Sequence, residues 1–296
     1  MQCLLEIQSD IHYIARSFFQ VRMEKNDKKT LFGWYMYDWA NSAYILTVVT
    51  AILPVYFTDG IVPKEGFRIG GTLYSATSLW GFAISASALF VFICAPVLGA
   101  IADFSASKKK FLLGFCFTGS LLCTLLFFCG SGDVWMTLLV LGATQICWVA
   151  ANVFYDAFLP HIATEDKLDW VSGKGYAYGY VGSDIQFLIC LGLILGHQTI
   201  GISSSQAVQA ALVFSGLWWA GFSLFTLKYL KEAPPSEKLP ESMLLLPRWA
   251  ALTSIGFQRA LSTLKKIRGF KHLVILLLAL MLYNEGIKKV INMATI

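Results

Sequence analysis

Five stretches of this chain, residues 39–58, 69–102, 111–132, 134–155 and 185–227, contain no Asp, Glu, Lys or Arg. At about 1.5 Å of rise per helical residue, about 20 mostly apolar residues cross the hydrocarbon core of a bilayer. Each stretch is long enough for one crossing, and the last is long enough for two. A soluble domain needs a polar shell and usually carries roughly 25% charged residues. Here 14% are charged and 56% hydrophobic, so most of the surface must meet lipid. Disorder is excluded by the same reasoning, because 15% aromatic residues and a mean hydropathy of +0.62 oppose the signature of unfolded chains.

Apolar windows predict an all-α polytopic membrane protein with seven spans, near 31–57, 79–102, 111–129, 134–159, 176–196, 207–227 and 272–296. The polar segment GHQTIGISSSQ at 196–206 divides the longest uncharged run in two. The implied layout is an N-terminal arm at 1–30, a six-span bundle at 31–227, a connector at 228–271 and a seventh span at 272–296. Nineteen of the 23 Lys and Arg residues fall in the arm and in the loops after expected spans two, four and six, while the opposite loops hold Lys64 and Arg68 alone. By the positive-inside rule the N-terminus and the connector are cytoplasmic.

The connector opens with the Pro-rich KEAPPSEKLPES and continues from Leu246 to Arg268 with Trp249, Leu252, Phe257, Leu261 and Leu264 near helical spacing beside basic residues, the pattern of an interfacial amphipathic helix. Residues 4, 7, 11, 14, 18 and 21 repeat in the same way ahead of Met23, and a translation start at Met23 is an open alternative. Residues 1–30 carry Glu6 and Asp10 and never reach an uninterrupted apolar region, so a cleavable signal peptide is not expected. Six of the seven cysteines (94, 116, 123, 129, 147 and 190) sit in apolar runs without a C-x-x-C pair, and they read as small buried hydrophobes.

Four sequence blocks, GWYMYDWANSAY at 33–44, VFYDAFLPHIA at 153–163, VSGKGYAYGYVGS at 171–183 and YNEGIKKVINMA at 283–294, resemble the motifs of the vacuole-effluxer-like branch of the major facilitator superfamily, whose bacterial members are called the unknown-major-facilitator family. The resemblance covers residues 31–296. It implies a six-helix N-terminal bundle of major-facilitator type plus one further transmembrane helix, in a family with two six-helix bundles around a midplane cavity. A chain that stops in the seventh span then reads as a fragment, the product of an interrupted gene or a short form. The resemblance also implies release of amino acids for the yeast members, in the vacuolar membrane if fungal and the inner membrane if bacterial. The superfamily's loop signature reads here as Gly99, Asp103 and Lys108, with Phe104 and Ala106 in place of the usual basic residue and glycine. Asp103 is either a latch at the cytoplasmic mouth, beside helices brought close by Gly99, or a turn acid paired in water with Lys108 to Lys110.

Ionisable groups within the hydrocarbon are costly, so each deserves a reason. Asp38, Asn41 and Tyr44 recur at three-residue spacing, and Asp38 is either a proton-coupling or amine-binding carboxylate or the N-cap of a span that begins there. Asp184 lies beside a small-residue ridge of Gly175, Gly179 and Ser183, so it should face protein or a cavity. Asp156 closes span four, where the helix dipole disfavours an anion, so it should have a cationic or hydrogen-bonding partner and acts as a gate or as a plain interfacial acid. Glu285 precedes Lys288 and Lys289, giving either a helical ion pair or a cavity charge switch. Asn152, Gln186 and Asn284 are neutral candidates for hydrogen bonding in the cavity. Trp34, Tyr35, Tyr37 and Trp39 read as interface anchors.

Three functions compete on this basis. A secondary transporter would rock two bundles about a midplane site, with a buried carboxylate coupling protons to solute. An intramembrane enzyme lacks support, since His12, His161, His197 and His272 sit in no H-E-x-x-H or G-x-S-x-G pattern. A non-transporting remnant, or a half-transporter that needs a separately encoded C-terminal half, is the third. GKGYAYG is a near miss to a dinucleotide loop but follows no strand. The expected partners are a small-molecule solute and the bilayer, with no nucleic acid, cofactor or metal.

Overall fold

A computed structural model describes residues 24–104, 107–232, 235, 237, 239–243 and 246–267, together with 275, 276, 279, 282 and 283. Six helices within these residues are long and apolar enough to cross a membrane: Lys28–Ile61, Ala76–Phe104, Lys108–Phe128, Val134–Ile162, Glu165–Leu195 and Ser204–Tyr229, here spans one to six. The chain is an all-α polytopic membrane protein. The N-terminal repeat at 4–21, Asn284, Glu285, Lys288 and Lys289 lie outside the described residues, as does most of the window at 272–296.

The helices run past their apolar windows wherever polar residues keep satisfying the backbone. The regular helix of span five starts at Leu168 rather than near 176. Its extra turns carry Lys174, whose ammonium reaches the rings of Trp170 (4.9 Å) and Tyr35 (5.3 Å), as long cationic side chains do at a membrane edge. Span one starts at Lys28, with Asp27 as its N-cap: the Asp27 carboxylate accepts from the Thr30 backbone N–H at 3.0 Å and from the Thr30 hydroxyl at 2.7 Å. Asp38 is therefore not the cap, and one of its two readings falls away. The Thr30 hydrogen bonds hold the Asp27 carboxyl below the usual carboxylate range. Its capping contribution is complete at neutral pH and fades only as pH falls through that lowered value. Asp27→Ala is expected to cost about 1 kcal/mol and Asp27→Asn only a fraction of that, read as melting temperature in detergent.

Beyond Ala43 span one changes winding. Tyr44–Ile52 is π-helical, with the Leu53 N–H bonded to the Val48 carbonyl, and a second π-helical stretch covers Phe57–Ile61. Pro54 lacks an N–H and crowds the carbonyl four residues back, so the wider helix relieves a contact that a regular one could not accommodate. Between spans one and two, Phe67–Ile69 (β1) pairs antiparallel with Thr72–Tyr74 (β2). Gly70 (φ +55°) and Gly71 (φ +86°) form the two-residue turn that needs positive φ at both positions.

Span one packs against spans five and six, span three against four and six, and span two chiefly against span four. Only 17% of the apolar window of span two is buried. The core is aromatic at the N-terminal end of span one, where Trp34, Tyr35 and Tyr37 are 3%, 4% and 0% exposed. These three are not interface anchors, because Trp34 packs on Gly175 and Tyr35 on Tyr178 of span five, and Tyr37 on Tyr155 of span four. Cys116, Cys123, Cys129, Cys147 and Cys190 are buried and free, and Cys94 is partly buried.

Two backbone links tie loops on the same side of the bundle. At one end the Asn26 N–H donates to the Ile162 carbonyl at 2.7 Å, and the Asn26 and Thr164 side chains bond each other at 2.8 Å. At the other the Gly132 N–H donates to the Ile61 carbonyl at 2.9 Å. The polar break at 196–206 ends in a capping box, in which Ser203 and Gln206 each satisfy the other's backbone N–H at the start of span six.

The described residues from Leu239 onward belong to a second compact unit. Its helix Arg248–Ile267 buries Ala251, Leu252 and Ile255 while Trp249, Phe257 and Leu261 stay exposed.

Candidate functional site

A cavity of about 640 Å³ opens between spans one, four and five. Span one contributes Trp34, Asp38, Asn41 and Ser42 to its wall. Span four contributes Trp148, Asn152, Tyr155 and Asp156, and span five adds Tyr176, Tyr180, Ser183 and Asp184. Asp38 follows Lys28 by ten residues, which places it about 15 Å along the helix and within the membrane's thickness.

The small-residue ridge of span five makes room for this wall. A Cβ on Gly175 would come within 2.6 Å of the Trp34 ring, and one on Gly179 within 2.6 Å of the Ser42 hydroxyl and 3.2 Å of the Asp38 carboxyl carbon. The missing side chain of Gly179 is the space in which the Asp38 carboxyl sits. That carboxyl is only lightly satisfied: Asn41 Nδ2 and Ser42 Oγ approach Oδ1 at 3.5 and 3.4 Å, at the long limit of hydrogen bonding.

The surrounding amides are committed elsewhere. Asn41 Nδ2 donates to the Tyr37 carbonyl at 2.9 Å, and its Oδ1 accepts from the Trp148 indole N–H at 2.9 Å. Asn152 Nδ2 donates to the Trp148 carbonyl at 2.9 Å. The Trp34 ring stacks on Tyr155 at 4.3 Å and 8° while its N–H donates to the Tyr155 carbonyl at 3.1 Å. The wall between spans one and four is therefore braced by two tryptophans, leaving the carboxylates as its least committed polar groups.

Two sequence candidates lie elsewhere. Tyr44 is fully buried, donates to Gln145 Oε1 at 3.2 Å and stacks on Trp219. Each three-residue step lags about 60° on a 3.6-residue helix, so two steps carry Tyr44 well around from Asp38. Gln186 is also fully buried and faces the bundle core, accepting from the Thr47 hydroxyl and donating to Ser215 Oγ at 2.8 Å and Cys190 Sγ at 3.0 Å. It stands two residues from Asp184, and residues at that spacing share no helix face.

Asp184 is exposed and opens into the cavity beside Ser183. Asp156, also exposed, ends the regular helix of span four, yet no cationic partner meets it among the described residues.

The loop signature also differs from expectation. No atom lies within 4 Å of a Cβ placed on Gly99, so Gly99 brings no helix close among the described residues. Lys108 is not in water: it is fully buried, with Nζ 2.7 Å from His161 Nε2. Two cations do not share that separation, so the ammonium donates to a neutral imidazole whose other nitrogen carries the hydrogen. Asp103 and Glu232 act on the same ammonium, and Glu232 Oε1 also accepts from the Lys109 backbone N–H at 3.1 Å. The end of span four and the exit from span six thus both bond the start of span three. Sequence reasoning missed His161 as a member because nothing local pairs it with Lys108.

Comparison with known proteins agrees with this architecture. Residues 26–296 match the family described as vacuole effluxer Atg22 like. The chain belongs to this family. An uncharacterised MFS-type transporter of Bacillus subtilis (strain 168), named YxiO, is 32% identical over 92% of this chain and 61% of its own length. Autophagy-related protein 22 of Saccharomyces cerevisiae (strain S288c) is 20% identical over 94% of this chain and 62% of its own length, and that of Vanderwaltozyma polyspora is 21% identical over 78% and 51%. The chain thus spans about half to three fifths of the length of these relatives. No solved structure matches it.

Proposed function

We propose that this chain forms the N-terminal, solute-contacting half of a secondary-active transporter that works by alternating access. The observation that carries the reading is the cavity between spans one, four and five, which brings Asp38, Asp156 and Asp184 to one wall of a transmembrane bundle. A carboxylate is costly at the depth of Asp38 and marks a solute or proton path. Asp38 is the coupling group of choice, since it is partly buried against Gly179 and its own partners stand at the limit of hydrogen bonding. Protonation there removes a charge that the cavity otherwise has to solvate, which shifts the balance between inward-open and outward-open populations. Amino acids are the solute class that the resemblance implies.

In proteoliposomes bearing the complete transporter, Asp38→Asn is expected to lower pH-gradient-driven flux of a labelled amino-acid and amine panel by at least about tenfold, roughly 1.4 kcal/mol or more of coupling. Reconstitution yield should not change. Wild-type flux in that variant would remove Asp38 from the mechanism.

Co-expression with a C-terminal half tests the half-transporter reading. Orientation follows from the charge bias and from the link between Asn26 and Ile162, which puts the first span's start and the loop after span four on one side. We assign that side to the cytoplasm. Cysteines placed at the exposed Lys110 and Lys64 are expected to label from opposite faces of inverted and right-side-out vesicles. Labelling from one face would overturn the topology.

A further inference from the structure

The geometry points to a specific ligand chemistry for the cavity between spans one, four and five: an organic cation, an ammonium head on an apolar or aromatic body. This rests on the solute-site reading above and departs from the amino-acid class that the resemblance implies.

The wall carries three carboxylates, Asp38, Asp156 and Asp184, and no Lys, Arg or His among its lining residues. The nearby cations are occupied with other groups, Lys174 over Tyr35 and Trp170, and Lys108 against His161. On this wall the carboxylate of an anionic or zwitterionic solute meets no counter-charge among the lining residues and three negative groups instead. A cation relieves that repulsion.

The rest of the lining fits the same ligand. Tyr176 and Tyr180 present rings that are 64% and 70% exposed, and Trp34 and Tyr155 form a stacked pair beside Asp38. Aromatic faces next to carboxylates attract an ammonium group through the ring quadrupole and accept the ligand's apolar body. An independent sign is the Tyr155 hydroxyl. Tyr155 lines the cavity, is only 5% exposed, and its hydroxyl has no hydrogen-bond partner among the described residues. A buried hydroxyl without a partner is costly, and its lone pairs can accept from an ammonium N–H.

The ion is organic rather than metallic because the three carboxylates line the cavity without converging. Among the described residues no group of three or more His, Cys, Asp or Glu side chains is placed to hold a metal. A compact divalent ion requires that convergence, whereas an extended ammonium ligand can meet the carboxylates one at a time.

The test is isothermal titration of the full chain in lipid nanodiscs with three ligands that share a ring and differ in charge: phenethylamine, phenylalanine and phenylacetate. Phenethylamine is expected to bind at least about tenfold more tightly than phenylalanine, and phenylacetate not at all. Asp38→Asn should weaken phenethylamine by at least about tenfold, and Asp184→Asn, at an exposed position that folding does not need, should weaken it severalfold. Tyr155→Phe should weaken it while leaving the melting temperature at or above that of the wild type.

Equal binding of phenylalanine and phenethylamine, with loss of both in Asp38→Asn, would overturn the cation assignment and leave the solute site standing. Displacement of phenethylamine by millimolar Mg²⁺ would overturn it in favour of a metal site. Absence of binding across the series would overturn it as well, while the proteoliposome flux measurement reports separately on the transporter reading.

Discussion

Gly182→Ala is expected to lower the melting temperature of the detergent-solubilised protein sharply, whereas Gly192→Ala on the same helix leaves it unchanged or raises it. A Cβ on Gly182 would stand 2.6 Å from Trp39 Cδ2 and 2.7 Å from both Trp39 Cγ and the Trp39 backbone oxygen. The backbone oxygen cannot swing away. The ring is also confined, stacked on Trp218 at 6.1 Å and flanked by Phe222 and Tyr178. Relief requires spans one and five to separate, and overpacking of that kind costs about 1–3 kcal/mol. At Gly192 nothing lies within 4 Å of the added atom, so only the higher helix propensity of alanine acts, worth up to about 1 kcal/mol in the opposite direction. Equal melting temperatures for the two variants would mean that spans one and five do not pack through Gly182. Because the same interface seats Asp38 against Gly179, Gly182→Ala should also reduce ligand binding in the cavity.

Removing the Gln186 side chain should have the next largest effect, and it has a distinctive partner dependence. Gln186 joins three spans, accepting from Thr47 on span one and donating to Ser215 on span six. Gln186→Leu keeps the volume but leaves the Thr47 hydroxyl buried without its acceptor, which costs about 1–3 kcal/mol for an unsatisfied polar group. Interhelical hydrogen bonds in membranes average about 0.6 kcal/mol by double-mutant cycle, so the lower part of that range is expected. Replacing both partners with apolar groups, Gln186→Leu with Thr47→Val, should recover most of the loss, since no orphan then remains on that side. Ser215 stays satisfied as a donor through the Ala211 carbonyl at 2.8 Å. Additive losses in the double variant would show that Gln186 contributes by packing alone.

The cluster at Lys108 is a different kind of buried polar group. Its ammonium bonds an imidazole 53 residues away in the chain. The signature around Asp103 was readable as a motif, but burial of Lys108 was not, because its neighbours Lys109 and Lys110 give the local sequence the look of a solvated basic loop. The hairpin is the reverse case. Gly70-Gly71 between Phe67–Ile69 and Thr72–Tyr74 is a plain turn signal, easily passed over inside a long uncharged run.

What the sequence determined by itself is the set of properties that depend on neighbours along the chain. Uncharged runs of bilayer length specify six helices in lipid, because no backbone polar group can be left unpaired there. The four-residue interval from Gly175 through Gly179 to Ser183 places small residues on one helical face. The polar segment at 196–206 specifies where one run becomes two. Which face meets which helix depends on contacts between spans: Trp148 holds Asn41, Gly179 makes room for Asp38, and Tyr44 and Gln186 turn into the core while Asp184 opens on the cavity. Helical periodicity sets angles within one helix, but the rotation of each helix about its axis is set by side chains that lie roughly a hundred residues apart and meet only after the bundle has closed.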